Sequence, residues 1–566
     1  MKGSILGNIA RCCLFLRVAA TFTLVATTFQ AAAGQSAVAS AHPLATDAGI
    51  EILQKGGNAF DAAIAVTAVI AVVQPYSSGI GGGGFWLLHV ANDKRDVMID
   101  GRERAPLAAT RDMYLDDAGK VVPGASVNGP LSAGIPGVPA AIDHLARNYG
   151  RLPLTETMSA AIKYAREGFI TDEHYQRMAS IREIPLNASK DAARIFLVDN
   201  KAPEPGTRIV QTELAHTLEL IATRGANGFY KGETADKLLR SMEANGGIWQ
   251  QRDFDEYRVI ERQPIVGEYR GMKIISAPPP SSGGIAMVQM FNMLSGFDFE
   301  SMSEISRIHL LTEVMRRAYR DRAEYLGDSD YVDVPVERLL SSEHAKEMAA
   351  TITLDEATPS EALPAVMVDN NKAMDTTHFS IIDKFGNRVS ATLSINYPFG
   401  SCFVAEGTGV LLNDEMDDFS AKPGAPNVYG LVGAEANAIA PGKRMLSSMS
   451  PTFLETEDRL AVVGTPGGSR IITMVMLAAL DFYLGNTADS MVNKDRFHHQ
   501  YLPDQLFHEP NTLSDSVLTT LFEMGHEVKG LDGTYGDMHV LVEHKQTGKI
   551  DAASDKRGVG KARVMQ

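Results

Sequence analysis

Thr376 and Thr377 lead the segment of this chain that is richest in chemistry. They follow Asp375 and precede His378, and residues 378–396 read HFSIIDKFGNRVSATLSIN. Apolar and β-branched residues alternate on both sides of KFGN at 384–387, the pattern of two strands joined by a turn. Upstream, residues 354–374 carry two prolines and a run of acids and have no helical or strand period. A structureless acidic segment thus runs straight into a strand that begins with threonine. Scission of the bond between Asp375 and Thr376 would place a hydroxyl and a free α-amine on one residue. An α-amine has a pKa of about 8, so part of it is unprotonated at neutral pH and takes up the hydroxyl proton. No separate histidine is then required. A Thr-Thr pair in a strand is ordinary by itself, because β-branching suits the pleat. The rest of the chain gives this pair its chemical reading.

Four further segments carry groups of the right kind. Gly467 and Gly468, in GTPGGSRI at 464–471, follow a proline and precede Ser469. They form a backbone nest whose N–H groups can aim at one oxygen. Arg102, in DGRERAP at 100–106, follows the apolar strand FWLLHV at 85–90 and offers a two-pronged grip on a carboxylate. Ser447 and Ser448, in KRMLSSMSPT at 443–452, add short hydroxyl donors suited to the same anion. Glu415 and Asp418, in LLNDEMDDFS at 411–420, stand three apart and share one face of a helical turn or tight loop. Two carboxylates there attract an ammonium, and Asn396 adds an amide oxygen. Directly after them, AKPGAPNVYGLVG at 421–433 reads as a mobile loop. Each segment also has an ordinary reading: a turn, a solvated arginine, a serine-containing loop, a helix start decorated with acids.

In this order and at this spacing, the five segments resemble the γ-glutamyltranspeptidase (glutathione hydrolase) family. The likeness runs from about residue 42 to about residue 557. It implies an α/β fold, the αββα sandwich of N-terminal-nucleophile hydrolases. Two self-cleaved chains, 34–375 and 376–566, would build it jointly as one intertwined globular domain. The resemblance makes Thr376 the nucleophile and the N–H groups of Gly467 and Gly468 the oxyanion hole, where losing one donor typically costs ~3 kcal/mol. It assigns Arg102, Ser447 and Ser448 to the substrate α-carboxylate and Asn396, Glu415 and Asp418 to its α-ammonium. Tyr429 falls at the tip of the lid loop found in many bacterial members. Family members usually carry threonine where Ser394 stands, hydrogen-bonded to the nucleophile, and some carry glutamine where Glu415 stands. Serine keeps the hydroxyl but has a less restricted rotamer than threonine. The implied reaction cleaves the γ-glutamyl amide of glutathione or a related compound through a γ-glutamyl-Thr376 ester. Water, an amino acid or a dipeptide then resolves the ester, and neither metal nor organic cofactor is called for.

Two other functions fit parts of the pattern. An acylase of the same architecture, removing glutaryl side chains from β-lactam nuclei, would keep Thr376 and the glycine pair but has no need of an ammonium site. An exported, non-processing binding protein for γ-glutamyl peptides would keep the binding groups and never be cut.

Residues 1–33 read as a removable leader. Lys2 and Arg11 precede a largely apolar run, and Ala31 to Ala33 offer an A-x-A cleavage site. The apolar run is short and interrupted for a membrane span, so the expectation is a periplasmic or secreted protein without a stable anchor. Losing Lys2, Arg11 and Arg17 takes the formal charge from −16 to −19, which disfavours nucleic acid as a partner. Only Cys402 then remains of three cysteines, so no intrachain disulfide is available. GIGGGG at 79–84 satisfies G-x-G-x-x-G, but a helical pattern precedes it and a strand follows, the reverse of a dinucleotide site. Close backbone packing is the better reason for these glycines. His498 and His499 are adjacent and do not converge on one ion. Helical periodicity dominates residues 153–254 and 301–349, strands cluster around Thr376, and helices are expected after Gly468. That distribution suggests two sheets between helical layers.

Overall fold

Two β-sheets lie face to face between helices in the computed structural model, which describes residues 34–362 and 376–565. The expected leader and Asp375 lie outside the described residues. Seven strands form the first sheet in the order Lys561–Met565, Ser36–Ser40, Thr377–Ile382, Arg388–Ser394, Gly83–Val90, Arg95–Gly101, Ile260–Arg262. Six form the second: Lys549–Ser554, His539–His544, Arg459–Gly464, Thr452–Glu455, Met272–Ser276, Ile265–Tyr269. The pairings within both sheets are antiparallel. Both sheets take strands from before residue 363 and from after residue 375, so neither segment closes a sheet alone.

The two-residue period of a strand decides which side chain enters which layer. Val38, Trp86, Leu88, Phe379, Ile381, Val389, Ala391 and Leu393 face outward onto helices Pro43–Gln54 and Ala59–Val73. Ala37, Ala39, Phe85, Leu87, Met98 and Ile382 face the second sheet, whose far side is covered by helices Gly283–Leu294 and Ile471–Tyr483. Helix Ala59–Val73 is apolar nearly all round and every residue of it is buried. Asn58 starts it by accepting from the N–H groups of Phe60 and Asp61, while Asp61 returns a bond to the Asn58 N–H. Each fully buried Val or Ile of such a helix contributes about 1.5–3 kcal/mol. Helix Pro43–Gln54 ends just before Gly56, which takes φ +92, the stop expected from the sequence.

The expected hairpin is present as Thr377–Ile382 and Arg388–Ser394, paired in register from Thr377 opposite Leu393 to Ile382 opposite Arg388. Its inward face is polar at the centre. His378 Nδ1 lies 2.9 Å from Thr392 Oγ1 and its Nε2 lies 3.1 Å from Ser380 Oγ. Ser380 Oγ donates across to carbonyls of the second sheet at Val462 and His539. Burial drives the His378 pKa well below the ordinary value, with His539 adding to the fall, so the ring is neutral and structural. Gly464 faces it on the second sheet, where a Cβ would stand 2.3 Å from the ring. The GIGGGG run is also explained by packing. A Cβ on Gly81 would meet the Leu411 carbonyl oxygen at 2.1 Å, and one on Gly82 the Ser394 carbonyl oxygen at 2.2 Å.

The helices expected beyond Gly468 are present, and strands that the sequence did not announce accompany them. Beyond Gly468 the chain forms helices Ile471–Tyr483, Ala488–Asn493 and Asp515–Glu523 and a small three-stranded sheet, and its strands His539–His544, Lys549–Ser554 and Lys561–Met565 return to the two large sheets. These complete both sheets, and Lys561–Met565 seals the edge of Ser36–Ser40. No helix among the described residues is long and apolar enough to cross a membrane.

Candidate active site

Thr376 immediately precedes the central strand Thr377–Ile382, and Ser394 closes its partner strand. Even-numbered residues of both strands face the gap between the sheets, so the two hydroxyls meet there: Thr376 Oγ1 and Ser394 Oγ are 3.4 Å apart. Ser394 Oγ accepts from the Asn396 N–H at 2.8 Å, which leaves its own proton to be donated. Asn396 has φ +75, which turns the chain out of the strand. Its Nδ2 donates to the Asp414 carbonyl at 3.0 Å, so its amide oxygen is the free end. A small pocket opens at this point. Arg102, Thr376, Ser394, Asn396, Glu415, Asp418, Tyr429, Ser447, Ser448 and Gly468 line it, together with Leu431, Met449 and Ile471. Gly467, next to Gly468, is the one candidate among the described residues that lies outside this wall.

Inside the pocket the candidate anion and cation groups hold each other. Arg102 Nη1 donates to Glu415 Oε2 at 2.6 Å and Nη2 to Asp418 Oδ2 at 2.5 Å. Nη1 also reaches Glu103 Oε2 at 3.4 Å, and Nε reaches the Met445 carbonyl at 3.3 Å. Glu415 and Asp418 sit on a single 3₁₀ turn, Glu415–Asp418, as their spacing suggested. Arg102, Glu103 and Glu415 are each at most 1 % exposed, so one guanidinium faces three carboxylates away from bulk water. Burial opposes the Arg102 charge, but Glu415, Glu103 and Asp418 together hold its pKa above the ordinary value. Burial, and then Glu415, push the Glu103 pKa well up. Burial pushes Glu415 up to about 7 against the pull of Arg102, with Asp418 adding to the rise. Oε1 of Glu103 and Oε1 of Glu415 are buried with no hydrogen-bond partner among the described residues.

Gly467 and Gly468 take φ +139 and +53, conformations that L side chains rarely adopt. They lie at the entry to the 3₁₀ turn Gly468–Arg470 and helix Ile471–Tyr483, where the helix dipole favours negative charge. Tyr319 OH donates to the Ser469 carbonyl and Ser469 Oγ donates to Gln500 Oε1 at 2.7 Å, fixing the turn. Opposite, the loop at 421–433 crosses the pocket. Tyr429 OH donates to the Asn396 carbonyl at 2.6 Å, and Asn427 Nδ2 donates to Asp418 Oδ1 at 3.2 Å.

Two buried charges beside the pocket were not singled out from the sequence. Glu103 adjoins Arg102 in the chain, and DGRERAP shows it only as a surface-like acid. Arg322 ends a helix, Glu304–Tyr325, whose sequence is charged throughout. Away from the pocket, His309 Nδ1 lies 2.7 Å from His526 Nε2 with Glu313 close by, a trio of metal-ligating type. Glu313, however, accepts from Arg317 and Arg316, and two guanidiniums oppose a further cation there. His498 and His499 turn to different partners, Thr473 and Gln500 for one and Asp504 for the other.

The sequence matches the family described as Gamma-glutamyltranspeptidase over residues 45–565. It is 43% identical over 499 residues to a glutathione hydrolase proenzyme from a Pseudomonas species, covering 87% of this chain and 86% of that one. It is 41% identical over 534 residues to the glutathione hydrolase proenzyme of Escherichia coli, covering 93% and 91%. Among solved structures it superposes on a cephalosporin acylase from Bacillus halodurans with a TM-score of 0.83 at 27% identity, over 94% of this chain and 96% of that one. The likeness thus extends along nearly the whole chain and includes every segment that supplies the pocket, and the chain belongs to the gamma-glutamyltranspeptidase family.

Proposed function

We propose that this protein is a self-processing γ-glutamyltransferase and glutathione hydrolase, exported to the periplasm or beyond. Cleavage between Asp375 and Thr376 would divide it into a large subunit, 34–375, and a small subunit, 376–566. The observation that carries the reading is the convergence, on one pocket, of Thr376 with a guanidinium, two serine hydroxyls, two carboxylates and an amide oxygen. A γ-glutamyl group presents the matching set: an amide carbon three carbons away from a carbon bearing both a carboxylate and an ammonium.

In this mechanism the zwitterion inserts into the Arg102 ion pairs. Its carboxylate takes Arg102 and the hydroxyls of Ser447 and Ser448, and its ammonium takes Glu415, Asp418 and the Asn396 oxygen. One set of charge-assisted bonds replaces another, so the buried charges are never left unpaired. Thr376 Oγ attacks the γ-carbonyl carbon while its proton passes to the Thr376 α-amine, and Ser394 steadies the hydroxyl. The N–H groups of Gly467 and Gly468 hold the oxyanion. The carbon–nitrogen bond breaks, the departing amine takes the proton, and a γ-glutamyl-Thr376 ester remains. Water or an acceptor amine gives a proton back to the α-amine and attacks the ester, which releases glutamate or the transfer product and restores Thr376. Tyr429 and its loop cover the pocket and exclude bulk water.

The high structural similarity to a cephalosporin acylase keeps the acylase reading in view. Glutaryl and γ-glutamyl anilides separate the two, because they differ only in the ammonium. A γ-glutamyl enzyme leaves Glu415 and Asp418 unpaired with the glutaryl compound, at ~2–5 kcal/mol, so kcat/KM should fall on the order of 30-fold or more. Equal rates on the two anilides would remove the transferase assignment.

Glu415 also gives substrate binding a pH signature. It is surrounded by Arg102, Glu103, Asp418 and Ser394, with Asp417 on its own turn and Asp414 just before it. With its pKa at about 7 in the empty pocket, it must lose a proton before pairing with the ammonium. The bound ammonium lowers that pKa, so binding releases the proton and strengthens as pH rises. KM for a γ-glutamyl anilide should be flat above about pH 7 and climb toward tenfold per unit below it. In Glu415→Gln the climb should disappear. A wild-type KM independent of pH across that range would show that Glu415 does not meet the ammonium.

A further inference from the structure

Arg322 stands in the last turn of helix Glu304–Tyr325 and is 4 % exposed. The buried Arg316 and Arg317 on the same helix are both paired with Glu313. Arg322 has no carboxylate within ion-pair distance among the described residues. It is held by two hydroxyls: Nε donates to Ser282 Oγ at 3.0 Å and Nη2 donates to Ser448 Oγ at 3.2 Å. Ser282 in turn donates through Oγ to the Ser447 carbonyl at 2.7 Å, so the guanidinium ties the helix end to the Ser447–Ser448 loop.

A serine hydroxyl has one proton and two lone pairs. The Arg322 N–H occupies a lone pair of Ser448 Oγ, so the Ser448 proton cannot point back at the arginine. That leaves the proton available for an acceptor in the pocket that Ser448 lines. Ser447 is treated alike, since its Oγ accepts from the Met449 N–H at 3.0 Å. Behind the two donors stands a full positive charge in a water-poor site, and Asp418, the carboxylate nearest in effect, is already engaged by Arg102 at 2.5 Å. An anion seated on the serine pair becomes the missing counterion.

We infer that Arg322 is a positioning and specificity residue for the α-carboxylate of the donor substrate: it orients the Ser448 hydroxyl as a donor and supplies buried charge behind it. The inference rests on the γ-glutamyl reading of the pocket. It places no bond between Arg322 and the substrate. It also makes selectivity for donors bearing an α-carboxylate depend on the same helix whose Tyr319 braces the Gly468–Arg470 turn.

The test compares γ-glutamyl p-nitroanilide with 4-aminobutyryl p-nitroanilide, which keeps the ammonium and lacks the carboxylate. In Arg322→Met, kcat/KM for the γ-glutamyl compound should fall about tenfold or more, mainly through KM, with the 4-aminobutyryl compound changed less than about twofold. In a Ser448→Ala background the Arg322→Met effect on the γ-glutamyl compound should largely vanish, because the two act as a unit. Arg322→Lys should show the same selective loss at smaller size, since one ammonium cannot serve both serines. That variant carries the test if the methionine protein does not accumulate. Equal losses on both anilides, or no loss on either, would overturn the inference. Wild type that treats glutaryl and γ-glutamyl anilides alike would instead defeat the underlying functional reading, whatever Arg322 does.

Discussion

Thr376→Ala should accumulate as one full-length band on a denaturing gel, whereas wild type should resolve into two bands that co-purify. The smaller wild-type chain should begin at Thr376. Co-purification is expected because both sheets draw strands from each side of the cut, with Ser36–Ser40 lying between Thr377–Ile382 and Lys561–Met565. Pulling the chains apart would open a sheet in its middle. The alanine variant loses both the hydroxyl that would attack its own backbone and the nucleophile of the reaction. Activity on a γ-glutamyl anilide should drop by roughly 10⁴-fold or more, the scale seen when a catalytic nucleophile is removed. Thr376→Ser keeps the hydroxyl and the α-amine and should still mature, more slowly, because serine's χ1 is freer. A Thr376→Ala protein that is still cut, or a wild-type small chain starting elsewhere, would reassign the nucleophile. An uncut wild type would favour the binding-protein reading.

The hairpin that delivers Thr376 was legible in the sequence because, from His378 to Ile381 and from Arg388 to Ser394, its odd positions are apolar and its even positions polar. That alternation reports a strand whose two faces meet different layers. Ser36–Ser40 was not legible, since its Ser and Ala residues are buried on both faces and leave no alternation. The three C-terminal strands were missed for a related reason. They are short, and KIDAAS and KARVM mix charges into strands at or near sheet edges. The site residues stood out as types, yet their arrangement did not. Sequence spacing brings Glu415 and Asp418 onto one turn, but it cannot say that an arginine more than three hundred residues earlier already occupies both. Nor can it show that Glu103 turns inward, or that Arg322, in a helix of charged residues, ends behind a pocket serine. Burial of a charge is a property of the packed layers and has no local signature.

Arg102→Gln is expected to have the largest effect of any binding-site substitution, and the structure gives a reason beyond the lost grip on the α-carboxylate. Glu103, Glu415 and Asp418 converge on this one guanidinium, and the first two are almost wholly buried. Removing one partner of a buried ion pair leaves the other charge uncompensated, at about 3–5 kcal/mol. Glutamine therefore does double damage. It deletes the cation that receives the substrate carboxylate, and it drives the carboxylates to hold protons they must lose before pairing with the ammonium. A fall in kcat/KM of roughly 10²–10⁴-fold is expected, with KM rising first. Arg102→Lys should recover little, because a single ammonium cannot bridge Glu415 and Asp418 as the fork does. The melting temperature should fall as well, and adding Glu415→Gln to Arg102→Gln should restore part of it by removing one of the stranded charges. Kinetics on a γ-glutamyl anilide and thermal unfolding of the two single variants and the double variant measure both halves. An Arg102→Gln enzyme with an unchanged KM would mean that the α-carboxylate binds elsewhere. A double variant no more stable than Arg102→Gln would mean that Glu415 was never held by this arginine.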